Sequence, residues 1–244
     1  MTREMPRKYW KNMPEAALIP SLIAGAQARE SGMIATADCK RTALGVNRTP
    51  AWAALRDEAL GCTRCHLHAC ATQTVFGEGP IETRLMFVGE QPGDQEDIVG
   101  KPFVGPAGQV FDRALDEAGI DRAQVYVTNA VKHFKFVQRG KRRLHQSPAT
   151  NEIEACRWWV DEERLLIAPK ITVALGATAA RALFGRAMPI GKSRGRALEL
   201  DDGSEAWITV HPSYLLRLPD ESKAEAYAGF VDDLRRIAAK CATG

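Results

Sequence analysis

Residues 84–94 read RLMFVGEQPGD, a short apolar run followed directly by a glycine, an acid and a turn. Three later runs share this length and apolar character: QVYVTN (124–129), ITVALG (171–176) and AWITV (206–210). Such runs are typical of strands that are buried on both faces. Helical patterns lie between the runs, over residues 107–118, 151–167 and 177–184. Strands that alternate with helices predict an α/β fold with a mostly parallel four-stranded sheet.

The composition fits one large α/β domain or a domain with an appendage. The chain has 244 residues, of which 45% are hydrophobic, and a formal net charge of +3. We expect residues 1–50 to be an N-terminal helical extension and linker, and residues 51–244 to form the main domain. No apolar run approaches a membrane span, and the N-terminus lacks the apolar core of a signal peptide. These absences predict a cytoplasmic protein with no membrane partner.

Polar side chains follow the predicted strands at the points where the strands end. Glu90 comes directly after the first run, Asn129 ends the second, and His211 follows the fourth. In a parallel sheet, ligands bind outside the carboxyl ends of the strands. The sequence therefore predicts a functional site at this edge, although a capped turn before the last helix is an equally good interpretation of His211.

The cysteines suggest a metal site. Cys62 and Cys65 form a C-x-x-C turn, and Cys156 stands alone much later in the chain. A zinc ribbon would normally supply a second C-x-x-C pair, whereas isolated later ligands fit an iron–sulfur cluster. The spacing does not identify the metal, and the alternative is a set of unliganded thiols. Three further side chains in the same turn compete for ligand roles: His66, His68 and Cys70.

Two loops carry the remaining polar residues. Six Lys or Arg residues and no acid lie between Lys132 and Arg143, and His145 follows. Phenylalanines interleave with this basic run, which weakly favours nucleic acid over an ordinary solvated face. The stretch at 89–108 is rich in glycine and proline and matches no phosphate-binding motif. We expect it to be a long irregular loop in which Asp94 and Glu96 are solvated.

Several motifs together resemble a known family. They occur in the order GEQPGDQED, PFVGPAG, YVTNAVKHFKF, KRRLH, ACRWW, LGATAA and HPSYLLR. The set is similar to the uracil-DNA glycosylase superfamily, in particular to its iron–sulfur group and the UdgX-type branch, for which KRRLH is the defining element. The resemblance covers about residues 51–240 and implies a three-layer α/β/α fold. Residues 1–34 also resemble the tail of a domain that is fused to some UdgX-type proteins.

The resemblance assigns a role to each motif residue. The implied ligands of a four-iron, four-sulfur cluster are Cys62, Cys65, His133 and Cys156. The implied catalytic residues are Glu90, Gln91, His145 and His211. The implied uracil-binding residues are Gln91, Phe103, which stacks on the base, Asn129, which reads its Watson–Crick edge, and His211. We expect DNA contacts from Lys141, Arg142, Arg143, Ser213 and Arg217.

The resemblance implies a monomeric enzyme that excises uracil from DNA, preferably single-stranded, and releases free uracil. His145 is expected to attack the sugar and remain covalently attached to it. One alternative is an ordinary turnover glycosylase that uses water in place of His145. Another is a noncatalytic iron–sulfur protein that binds nucleic acid. Without the resemblance, His145 would be interpreted as an exposed loop histidine.

Overall fold

A computed structural model describes residues 48–243. The predicted N-terminal extension lies outside the described residues, apart from residues 48–50, which begin the first helix. The eight α-helices of the described part are α1 (Arg48–Leu60), α2 (Asp94–Val99), α3 (Pro106–Glu117), α4 (Thr150–Ile167), α5 (Gly176–Phe184), α6 (Ile190–Ser193), α7 (Pro212–Arg217) and α8 (Asp220–Ala242). The strands are β1 (Leu85–Gly89), β2 (Val125–Asn129), β3 (Phe136–Arg139), β4 (Arg142–His145), β5 (Ile171–Leu175), β6 (Ala197–Glu199) and β7 (Glu205–Thr209).

The central sheet has the order β2-β1-β5-β7-β6. Its first four strands are parallel, which confirms the predicted mostly parallel sheet. The short strand β6 pairs antiparallel with β7 and adds a fifth strand at the edge. It was not predicted because its three residues are largely exposed and carry no buried apolar run.

Helices cover both faces of the sheet, and the strand residues alternate between the two cores. Met86 and Val88 pack in the core that contains α1, α4 and α5. Leu85 and Phe87 point the opposite way, into the core that contains α3, α7 and α8. Successive side chains of a strand point to opposite faces, so fully buried strands require an apolar residue at every position. The fold is therefore the expected three-layer α/β/α arrangement.

The stretch at 89–108 is more ordered than its composition predicted. It contains α2, and both Glu96 and Asp97 are buried. The Glu96 carboxylate accepts hydrogen bonds from the backbone N–H groups of Gly93 and Gly105, at 3.1 and 2.8 Å. The expectation that Glu96 is solvated was therefore wrong: its charge satisfies backbone donors that the loop would otherwise leave unpaired.

The basic run is not one continuous charged surface. Residues of β3 and β4 form an antiparallel hairpin in which Phe136 pairs with His145. Lys141 and Arg142 lie exposed at the turn, whereas the Lys132 side chain is fully buried. No helix in the described part of the chain combines the length and apolar character that a membrane span needs.

Candidate active site

The carboxyl ends of β1 and β2 meet at one point. Gly89 pairs with Asn129, so both strands end at the same level of the sheet. A Cβ atom on Gly89 would lie 2.3 Å from Asn129 Oδ1 and 2.7 Å from the Phe103 ring. A side chain at residue 89 is therefore excluded, because the amide and the ring both rest against the end of β1. The structure thus brings together two of the residues that the resemblance assigned to base binding.

Phe103 is held in an unusual backbone conformation. Its φ angle of 58° lies in the left-handed region, which is rare for a bulky residue and costs on the order of 1–3 kcal/mol. The ring packs against Phe111 at a centroid distance of 5.1 Å and lies 6.2 Å from the His211 ring. Strain of this kind persists where the surrounding structure fixes the residue. Phe103 therefore places a largely buried aromatic ring at the sheet edge.

The hydrogen bonds of His211 determine its tautomer. His211 precedes α7, and its Nδ1 atom accepts a hydrogen bond from the backbone N–H of Ser213 at 3.1 Å. A nitrogen that accepts this bond carries no proton, so the neutral ring is protonated on Nε2. Burial lowers the pKa of His211 to about 4, and the charges of Arg217 and His145 contribute to the decrease. At neutral pH, His211 therefore presents an uncharged N–H donor, oriented by Ser213.

We expect the low pKa of His211 to be visible in both titration and stability. Between pH 6.5 and 4 the unfolded chain takes up a proton that the folded His211 does not, so stability falls as the pH decreases through this range. The loss is complete below pH 4 and amounts to roughly 2 kcal/mol, allowing for partial exposure of the ring. NMR titration of the imidazole should give no transition above pH 5.5. The stability of His211→Asn relative to the wild-type protein should be higher at pH 5 than at pH 7.5. A measured pKa of His211 near 6.5 would contradict the assignment.

An unpaired carboxylate oxygen faces His145. Glu90 Oε1 is buried and has no hydrogen-bond partner among the described residues. The nearest basic group is Nε2 of His145, at 3.9 Å, on a side chain that is 44% exposed. A buried carboxylate oxygen without a donor is costly, and a small movement of the hairpin would bring the imidazole N–H into bonding distance. Glu90 is therefore placed to orient one ring nitrogen of His145.

Gln91 holds the base of the hairpin. Its amide nitrogen donates to the carbonyls of Lys135 and Gln146, at 3.2 and 3.0 Å, and its Oε1 accepts from the backbone N–H of Lys135 at 3.1 Å. Lys135 precedes β3 and Gln146 follows β4, so one side chain joins the entry and exit of the hairpin. The side-chain amide thus positions the segment that carries His145.

Arg143 is neutralised by two acids. Its guanidinium contacts Asp94 Oδ1 and Asp97 Oδ2, each at 2.5 Å, and donates to the Asp94 carbonyl at 3.2 Å. The Asp97 carboxylate is fully buried, and Arg143 itself is only 18% exposed. These bonds fix β4 against α2, which follows the loop that carries Glu90. The arrangement makes Arg143 a positioning residue, unlike the exposed Lys141 and Arg142 on the same hairpin.

Cys62, Cys65 and Cys156 lie close together and form a cysteine centre. Burial raises the pKa of the Cys156 thiol to about 12, and the nearby sulfurs of Cys62 and Cys65 add to the rise. The indole N–H of Trp159 donates to Cys62 Sγ at 3.2 Å, and the backbone N–H of Lys132 donates to Cys156 Sγ at the same distance. N–H groups directed at sulfur stabilise negative charge on it, as cluster-ligating thiolates require.

His133 offers a further donor atom of suitable chemistry. The side chain is buried, Nε2 lies 2.9 Å from Thr74 Oγ1, and Nδ1 has no partner among the described residues. Competing imidazoles nearby are engaged, since His66 contacts Glu152 at 3.2 Å and His68 contacts the Cys65 carbonyl at 2.6 Å. Within residues 48–243, no three or more His, Cys, Asp or Glu side chains are arranged around one point as ligands of a single metal ion would be. A cluster distributes its ligands over several iron atoms, so three thiols and an orphaned imidazole nitrogen fit it.

The fold and these strand-end residues define an α/β protein with a polar site at the carboxyl ends of its parallel strands, and comparison with known proteins identifies its family. Residues 76–235 match the uracil DNA glycosylase superfamily. This range contains all four parallel strands, His145 and His211. The chain belongs to this superfamily. Cys62 and Cys65 lie outside the matched range.

Curated relatives support this membership. The chain is 41% identical over 157 residues to the Type-4 uracil-DNA glycosylase of Thermotoga maritima, covering 64% of this chain and 78% of the relative. It is 34% identical over 165 residues to the Type-4 uracil-DNA glycosylase of Pyrobaculum aerophilum, covering 65% and 81%. A third enzyme of this name, from Archaeoglobus fulgidus, is 31% identical over 169 residues, covering 66% and 81%.

Proposed function

We propose that the chain is a uracil-DNA glycosylase of the UdgX type, which excises uracil and becomes covalently linked to the abasic sugar through His145. The observation that carries this proposal is the unpaired Glu90 oxygen 3.9 Å from His145 Nε2, at the sheet edge that holds Asn129 and His211. The similarity to Type-4 uracil-DNA glycosylases supports the excision step. The KRRLH hairpin supports the branch and the covalent step.

The pocket residues divide the work of excision. An extruded uracil stacks on Phe103 while the Asn129 amide accepts from N3–H and donates to O4. His211 donates its Nε2–H to the uracil carbonyl on which negative charge develops as the glycosidic bond stretches. Because the His211 ring is neutral at neutral pH, it can donate this hydrogen bond without an acid nearby to balance a positive charge. Gln91 contributes main-chain polar groups to the same pocket.

His145 captures the sugar. The glycosidic bond breaks with its electron pair leaving on uracil, and a ring nitrogen of His145 gives its lone pair to the anomeric carbon. The imidazole becomes cationic, and its remaining N–H is held by the Glu90 carboxylate, which also stabilises positive charge on the sugar. Uracil leaves as an anion and takes a proton from water. The imidazolium N–H occupies the Glu90 carboxylate, so Glu90 does not activate water against the new carbon–nitrogen bond and the enzyme stops after one event.

The four proposed cluster ligands are Cys62, Cys65, His133 and Cys156, and a four-iron, four-sulfur cluster held there would supply a structural cross-link. The three thiols come from two distant parts of the chain, the turn after α1 and the middle of α4. His133 lies in the segment that leads from β2 to the hairpin. These residues would therefore fix the hairpin to both helices.

We expect anaerobically purified protein to contain about four iron and four sulfide ions per chain, because the donor set is rich in thiolate. Elemental analysis and acid-labile sulfide measurement test this. Cys156→Ser should lose most of the iron, whereas Cys70→Ser, which changes an exposed cysteine close to Cys62 and Cys65 along the chain, should retain it. Zinc in place of iron in the wild-type protein would refute the cluster.

The exposed cations are proposed to hold the DNA backbone. Lys141 and Arg142 lie at the tip of the hairpin, and Ser213 and Arg217 belong to α7 beside the pocket. We expect a preference for single-stranded DNA, because extruding a base costs less when it is not paired in a duplex.

We also expect the protein to be a monomer in the cytoplasm.

Substitutions of Lys141 and Arg143 should change the salt dependence of DNA affinity differently. Lys141→Ala should reduce the steepness of the log–log dependence of DNA affinity on salt by roughly 0.7 to 1 unit, because one phosphate contact is lost. Arg143→Ala should leave this slope nearly unchanged and instead slow adduct formation, since Asp94 and Asp97 already neutralise its charge. Affinities measured from 50 to 400 mM KCl decide the matter. Equal slope changes in both variants would contradict the positioning role of Arg143.

One gel separates the candidate functions. The protein is incubated with single-stranded DNA that contains one uracil, and the products are resolved under denaturing conditions with and without alkali. The proposal predicts a denaturant-resistant adduct of one protein per strand. An alkali-labile strand without adduct would show an ordinary turnover glycosylase, which the Type-4 relatives favour as the second candidate. Intact DNA would leave only a noncatalytic binding protein.

A further inference from the structure

A fully buried ion pair lies directly behind the base-binding end of β2. The side chains of Lys132 and Glu163 are both 0% exposed, and Nζ lies 2.5 Å from Oε2. Taking two charges out of water costs several kcal/mol per ion, and replacing such pairs by apolar residues of the same volume is often neutral or stabilising. Stability alone therefore does not account for the pair.

The ammonium group is bonded to the end of the strand. Besides Glu163, Lys132 Nζ donates to the main-chain carbonyl of Asn129 at 2.9 Å and to Thr128 Oγ1 at 2.6 Å. An ammonium has three donors, so these three partners use all of them. The carbonyl belongs to the residue that is proposed to read the base. Lys132 consequently fixes the position from which the Asn129 amide extends.

The Glu163 carboxylate connects Lys132 to helix α4. Glu163 lies on α4 and accepts from the Tyr126 hydroxyl at 2.8 Å, from Thr128 Oγ1 at 3.0 Å and from the backbone N–H of Gly77 at 3.2 Å. The indole of Trp52 on α1 donates to the same Tyr126 hydroxyl at 3.0 Å. Every polar atom of the network has a partner, so the network resists displacement.

Lys132 also contacts the cysteine centre. Its backbone N–H donates to Cys156 Sγ, while its side chain holds Asn129. One residue thus joins α4, the cysteine centre and the end of β2 through bonds of fixed geometry.

We propose that Lys132 and Glu163 are positioning residues that set the selectivity for uracil by fixing the main chain at Asn129. This inference rests on the proposed uracil excision. A base-reading amide discriminates only when its hydrogen-bonding geometry is held closely, and a displacement of about 1 Å can cost on the order of 10²-fold in rate. The buried pair supplies that constraint from behind the strand, without touching the base.

The test compares two double variants of the full chain. Lys132→Met with Glu163→Gln removes both buried charges and leaves no unpaired ion. Arg164→Met with Asp202→Asn removes a partly buried ion pair at 2.9 Å that begins on the same helix but leads to the β6–β7 turn. Each protein is measured for thermal midpoint, iron content, plateau rate of excision in single turnover, and affinity for single-stranded DNA. The affinity probes carry one 2′-fluorinated uracil or cytosine nucleotide, which resists glycosidic cleavage.

We expect the Lys132/Glu163 variant to lose roughly tenfold or more of its preference for the uracil probe, and 10- to 100-fold of its plateau rate. The Arg164/Asp202 variant should keep both within about twofold, even where its thermal midpoint falls. Wild-type preference and rate in a folded Lys132/Glu163 variant would overturn the inference, as would an equal loss of preference in the control. A wild-type protein that neither excises uracil nor prefers its probe defeats the proposed function instead.

A milder substitution covers a failure of the first variant to fold. Thr128→Val keeps the shape of the side chain and both charges, and removes only the hydroxyl that lies between them. We expect a roughly three- to tenfold loss of uracil preference. An unchanged preference in this variant would also overturn the positioning role.

Discussion

His145→Ala should form no denaturant-resistant adduct with uracil-containing DNA, while uracil release continues at roughly 1–10% of the wild-type rate. The adduct requires a tethered lone pair, and a positioned imidazole has an effective concentration far above that of a loose water. Release persists because Glu90, Asn129 and His211 still stabilise the separating charges, and water enters the vacated space. Denaturing gels report the adduct, and alkali treatment reports the abasic product.

Substitution of an uncharged residue on the same hairpin, Gln138, provides the control for His145→Ala. Gln138→Ala alters an exposed side chain of the same hairpin and should keep the adduct. Mass spectrometry of the digested wild-type adduct then identifies the linked residue. DNA attached at any residue other than His145 would overturn the assignment, even if His145→Ala were inactive.

Asn129→Asp should lower the rate of uracil excision by on the order of 10²- to 10³-fold. An ionised carboxylate carries no hydrogen and cannot donate to O4. Because residue 129 is buried, its charge would also strongly repel the negative charge that develops on uracil. A carboxylate accepts from the exocyclic amine of cytosine, so the variant could gain weak activity on cytosine. Single-turnover rates on strands that differ only in this base measure both effects.

The same chemical change at another asparagine is the matched control. Asn151 lies exposed in the first turn of α4, where an added negative charge is favourable for the helix. Asn151→Asp should therefore excise uracil at the wild-type rate. Unchanged uracil kinetics in Asn129→Asp would exclude Asn129 from base recognition.

Local patterns were sufficient to predict the sheet and the edge that carries the site. Four buried apolar runs specified four parallel strands, because a strand covered on both faces needs apolar residues throughout. Helix α4 shows a signal that would have located Glu163. Glu163 lies on the same buried face as Cys156, Trp159 and Val160, at helical spacing from them. An acid on a buried face requires a buried partner.

The partners of the charged residues depended on the tertiary structure. Local sequence groups Lys132 and Arg143 into one basic run, yet the fold buries Lys132 against Glu163 and places Arg143 between Asp94 and Asp97. These acids lie 31, 49 and 46 positions away along the chain. The sequence by itself determined which segments become buried strands and helices, because burial follows from local apolar periodicity. Only the tertiary structure decided which charges stay exposed and which are neutralised, because a charge is neutralised by whichever group the folded chain places beside it.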